Sequence, residues 1–113
     1  MSSYSFFLPP DFSDYEWEAT AKGFFSEGWL IVEGKQYRLN FYDAARISQE
    51  IEGELGNRGV FFEPNLVIVR SVTKAEMEAA VEQLVRSGFS ASLMPVWSRG
   101  DHHAEERPEG MEE

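Results

Sequence analysis

Residues 29–56 read WLIVEGKQYRLNFYDAARISQEIEGELG, and this stretch decides the fold class. Its first five residues form a short apolar strand, and Glu33-Gly34-Lys35 supplies a tight turn. Tyr37, Leu39 and Phe41 then alternate with Arg38, Asn40 and Tyr42, the period of two expected of a half-buried strand. At Asp43 the period changes. Its carboxylate can accept the free N–H groups of a first helical turn, and Ile47, Ile51 and Leu55 follow at four-residue steps on one face. Gly56 is the expected stop, with Gly53 a costly residue inside the helix. Two strands followed by a helix place the chain in the α+β class.

Working outward toward the C-terminus, residues 60–63 and 66–70 predict a hairpin around Pro64-Asn65. Residues 66–69 are apolar on both faces, as a covered central strand would be. A second helix opens at Thr73, where Thr-x-x-Glu to Glu76 is a capping box and Val72 and Met77 can close a hydrophobic staple. Met77, Ala80, Val81, Leu84 and Val85 make its apolar face, and Gly88 ends it. A last strand is expected over 92–96, with Trp97 closing the folded part. Toward the N-terminus, Tyr15, Trp17 and Ala19 alternate with Glu16, Glu18 and Thr20, which reads as another strand.

The expected order is therefore β-ββα-ββα-β: an antiparallel sheet with both helices on one face, and a ferredoxin-like β-α-β-β-α-β core nested within 37–96. A shift of 30 residues lays one hairpin-plus-helix on the other, which is a repeat of architecture and not of sequence. Residues 1–14 are set apart as an arm, 15–98 as a single domain and 99–113 as a disordered acidic tail.

Composition excludes several functions. The 113 residues are 42% hydrophobic and 14% aromatic, enough to fill one core. A net charge of −10 argues against nucleic acid as a partner, since phosphate neutralisation needs the opposite sign. The absence of cysteine removes disulfides, thiolate metal sites and thiol catalysis, and fits the cytoplasm. No apolar run approaches the roughly 20 residues of a membrane-spanning helix, and no secretory signal is expected.

Catalysis finds no support. The two histidines, His102 and His103, lie in the expected tail, where a proton-transfer base cannot be held in place, and no third histidine completes a metal shell. The glutamates of both helices read as solvated faces. No catalytic residue, metal or cofactor is therefore expected. The aromatics remain: Phe6, Phe7, Phe12, Tyr15, Trp17, Phe24, Phe25 and Trp29 crowd the first quarter and read first as caps on the core, but with Phe41, Phe61, Phe62, Phe89 and Trp97 they exceed what one core readily holds, so some are expected in an exposed patch. With the open sheet face expected to carry Glu16, Glu18, Arg38, Asn40 and Tyr42, the residues singled out for binding are Glu16, Trp17, Glu18, Trp29, Arg38, Asn40 and Tyr42. The function this favours is a non-catalytic protein-interaction module, adaptor- or inhibitor-like, whose partner is another protein or a second copy of itself. A small-molecule-sensing regulatory domain is the alternative.

Overall fold

The computed structural model describes residues 3–96, and Trp97, His102, His103 and the rest of 97–113 lie outside them. It is an α+β fold with a four-stranded mixed sheet and three α-helices. In chain order these are β1 (Tyr4–Phe7), α1 (Phe12–Lys22), β2 (Phe24–Val32), β3 (Lys35–Tyr42), α2 (Ala44–Asn57), β4 (Leu66–Ile68) and α3 (Lys74–Arg86), followed by a 3-10 turn at Phe89–Ser92. The strands lie side by side in the order β1-β2-β3-β4. β1–β2 and β2–β3 are antiparallel, whereas β3–β4 is parallel.

The central hairpin and both capped helices stand where local chemistry puts them. Glu33 and Gly34, at φ 52° and 77°, turn the chain between β2 and β3. The Asp43 carboxylate accepts from the Arg46 N–H at 2.8 Å, and the Thr73 hydroxyl from the Glu76 N–H at 3.2 Å. Val72 and Met77 are fully buried.

Residues 15–21, expected as a strand, are helix. Phe12, Tyr15 and Ala19 recur at helical spacing, and all three pack toward the core. The alternation of Glu16, Glu18 and Thr20 coincides with this spacing over too short a run to exclude it. Gly23, at φ 71°, closes α1 by donating to the carbonyls of Ala19 and Thr20. Residues Tyr4–Phe7, set apart as an arm, are the edge strand of the sheet, and Phe12 is a core residue.

No strand forms over 60–63, and the expected 60–70 hairpin is absent. The helix α2 carries the chain back along the sheet, so β4 enters parallel to β3. α2 also runs past Gly56 to Asn57, and Gly59, at φ 77°, takes the left-handed position after it. Nor is β4 a covered central strand: it is the other edge, with Val67 against the core and Ile68 54% exposed. Residues 92–96 form no strand. They lie along the edge of β3 instead, where the Val96 N–H donates to the Gln36 carbonyl at 2.8 Å. The ferredoxin-like arrangement expected over 37–96 is thus not found, since that span supplies two strands and they pair in parallel.

The helices also divide between the two faces of the sheet. Leu30, Tyr37, Leu39 and Phe41 point to one face and join Phe12, Ala19, Met77 and Val81 in the main core, so α1 and α3 cover that side. Gly28 is tightly enclosed there: a Cβ would lie 2.9 Å from the Phe41 ring and 3.1 Å from that of Phe6, rings that meet edge to face at 6.0 Å. Phe24, Trp29, Arg38, Asn40 and Tyr42 point to the opposite face. α2 sits on that side, with the Arg46 guanidinium 5.3 Å from the centroid of the Phe24 ring. The expectation of both helices on one face fails because each face of the sheet is apolar enough to need a cover.

Candidate functional site

The apolar stripe of α2 starts inside the protein and runs out of it. Ile47 is buried, Ile51 is at the surface, and Leu55 is 51% exposed. The segment after α2 continues the apolar surface with Val60 and Phe62, which are 44% and 69% exposed, and Ile68 of β4 adds to it. Contacts of known length hold Phe62 and the polar residues around it. Arg58 binds Glu54 at 2.6 Å and lays its guanidinium 5.9 Å from the Phe62 ring centroid. The adjacent Glu63 carboxylate accepts from the Tyr42 hydroxyl at 2.6 Å, and Tyr42 pairs in register with Ile68.

That hydrogen bond has an electrostatic consequence. Burial first, then the hydrogen bond to Glu63 and its charge, push the Tyr42 phenol well above the usual tyrosine range. The phenol therefore remains a donor and holds Glu63 against the sheet. Asn65, at φ 54°, anchors the far end of the segment. Its amide donates to the carbonyls of Arg38 and Met94 and its side-chain oxygen accepts from the Met94 N–H at 2.7 Å. Asn40 donates to the Pro64 carbonyl at 2.9 Å. The 58–65 segment is thus held in place by side-chain bonds while Val60 and Phe62 face outward.

A cleft of about 350 Å³ opens between the end of β1, the Pro9-Pro10 turn, α1 and the start of α3. Phe6, Leu8, Phe12, Glu16, Lys74 and Glu78 are among its lining. Glu16 is already engaged, its carboxylate accepting the Lys74 backbone N–H at 2.8 Å, so α1 caps α3 from across the chain.

The residues singled out from sequence do not form one surface. Glu16, Trp17 and Glu18 lie on α1, not on an open sheet face, with Trp17 71% exposed and Glu16 turned toward α3. Trp29, Arg38, Asn40 and Tyr42 do share a sheet face, on which Trp29 is only 7% exposed and Tyr42 is buried. Asn40 and Tyr42 act as anchors for the 58–65 segment. Of the aromatic surplus, Trp17 in the first quarter and Phe62 and Phe89 farther along the chain are the exposed members. A signal was present: Phe61 and Phe62 are consecutive, and an extended backbone sends neighbouring side chains to opposite sides.

Among the described residues no group of three or more His, Cys, Asp or Glu side chains could hold a metal ion, and no helix is long and apolar enough to cross a membrane. Comparison with models of known protein families, with curated proteins and with solved structures found no match.

Proposed function

We propose that this chain is a non-catalytic protein-binding module of the cytoplasm, and that Leu55, Val60, Phe62 and Ile68 form its contact surface. The observation that carries the reading is the exposure of these four large apolar side chains, Val60 and Phe62 on a segment that Asn40, Tyr42 and Asn65 hold, Leu55 on α2 before it and Ile68 on β4 after it. Exposed apolar clusters on a fixed scaffold are a common property of partner surfaces, because the ordering cost is met before the partner arrives.

The rim sets the sign of the partner. Glu50 and Glu54 are matched by Arg46 and Arg58, leaving Glu52 and Glu63 in excess on a chain of net charge −10. The partner is therefore a protein with an apolar patch bordered by Lys or Arg, and raising salt should slow association more than dissociation. Native mass spectrometry of the protein purified from its own source tests this. A partner complex lost on Phe62→Ser and Leu55→Ser supports the reading, and a complex that survives both substitutions refutes it.

A ligand-sensing role is the second reading, favoured by the cleft between β1, α1 and α3. Its test is the melting temperature, which a ligand of the native state must raise.

A further inference from the structure

We propose that β1 is a pairing edge for a second copy of this chain, joining two four-stranded sheets antiparallel through Tyr4–Phe7. β1 bonds to β2 along one side only, in an unbroken register from Tyr4↔Val32 to Phe7↔Trp29. Among the described residues no hydrogen bond beyond that ladder reaches its backbone. Alternate N–H and C=O groups of the strand therefore point outward as an open template.

Several devices that usually blunt such an edge are missing here. The strand YSFF has no Lys, no proline and no bulge, and residues 3–10 carry no Asp, Glu, Lys or Arg. The other edge is different: β4 is three residues long and begins at the left-handed Asn65. The absence of charge leaves β1 open to a second copy. A chain of net charge −10 repels its own kind over most of its surface, and this strip is one place where two copies meet without opposing like charges.

Symmetry then sets the register. A two-fold axis normal to the sheet brings like faces together only if it passes through a residue position. With the axis at Ser5, this small side chain opposes its own copy and Tyr4 lies opposite the partner's Phe6. Tyr4 is 38% exposed and Phe6 already packs on Phe41, so each crossing would cover a tyrosine ring with an anchored phenylalanine. This site is separate from the Phe62 surface and does not depend on it.

The chain has no cysteine, so a single introduced thiol reports on a single contact. Opposed residues of antiparallel strands stand about 4.5–5.5 Å apart at Cα, within disulfide range. Full-length Ser5→Cys should form a covalent dimer under mild oxidation much faster than Ser48→Cys, placed on the exposed side of α2. Sedimentation of the unmodified chain should show a reversible dimer that Ser5→Lys weakens by about tenfold or more, while circular dichroism shows the fold retained. Equal oxidation rates for the two cysteine variants would overturn the proposal. So would a strict monomer at about millimolar concentration, or a dimer lost on Phe62→Ser but kept in Ser5→Lys.

Discussion

Gly23 joins two helix caps, and replacing it with alanine should be felt at both. The residue closes α1 at φ 71° and ψ 26°, and its carbonyl accepts the Asp43 N–H at 2.9 Å. A Cβ at this position would lie 2.6 Å from both Asp43 carboxylate oxygens, the same group that caps α2 through the Arg46 N–H. Three effects combine in Gly23→Ala. The left-handed backbone costs an L-residue about 1–2 kcal/mol. Displacing the Asp43 carboxylate removes a cap, about 0.5–2 kcal/mol. Restricting the unfolded chain returns about 0.4–1 kcal/mol. The net destabilisation is about 2 kcal/mol, which lowers the melting temperature of a domain this size by about 8–15 °C. Urea denaturation followed by circular dichroism measures it, and a second background isolates the clash. In Asp43→Ala, which should itself cost about 1 kcal/mol, the carboxylate is gone and Gly23→Ala should cost only about 1 kcal/mol. Equal costs in the two backgrounds would refute the steric link between the caps.

Other substitutions probe the same scaffold. Thr73→Ala should destabilise by about 1 kcal/mol in chemical denaturation, because the Glu76 N–H loses its acceptor. Glu16→Ala should lose about 0.5–1 kcal/mol by the same assay, since its carboxylate meets the first N–H of α3 from 58 residues away. Gly28→Ala should cost more than either, as its methyl must displace the Phe6 and Phe41 rings; thermal unfolding would show the ranking. Tyr42 predicts a pH dependence. Its phenol is raised in the folded state, so its contribution is complete below the unfolded value near 10 and is lost as the pH climbs above it. Stability of the wild type should therefore fall more steeply above about pH 10 than that of Tyr42→Phe, measured by urea midpoints across the alkaline range.

Much of the local structure was legible because it depends on neighbours in the chain. The β2–β3 hairpin, the Asp43 and Thr73 caps and the Val72–Met77 staple each follow from residues within a few positions of one another. Segment 15–21 misled because seven residues satisfy both periods, and only the contacts of Phe12 with Tyr15 and Phe25 show which face is buried. The proposed contact surface was less legible still. Leu55 and Phe62 carry the same apolar signal as core residues, and exposure belongs to no residue type.

The α+β class, the two best-capped helices and the distribution of apolar residues into short amphipathic segments all follow from local sequence. Only the tertiary structure decided that α2 crosses to the opposite face, that β4 runs parallel to β3 and that β1 lies at an edge. The physical reason is the range of the forces concerned. Caps and turns act within one helical turn, whereas sheet order and helix side depend on how distant apolar faces divide the work of excluding water. That division depends on contacts such as Arg46 on Phe24 and Tyr42 to Glu63, whose partners lie about twenty residues apart and meet only once the chain is folded.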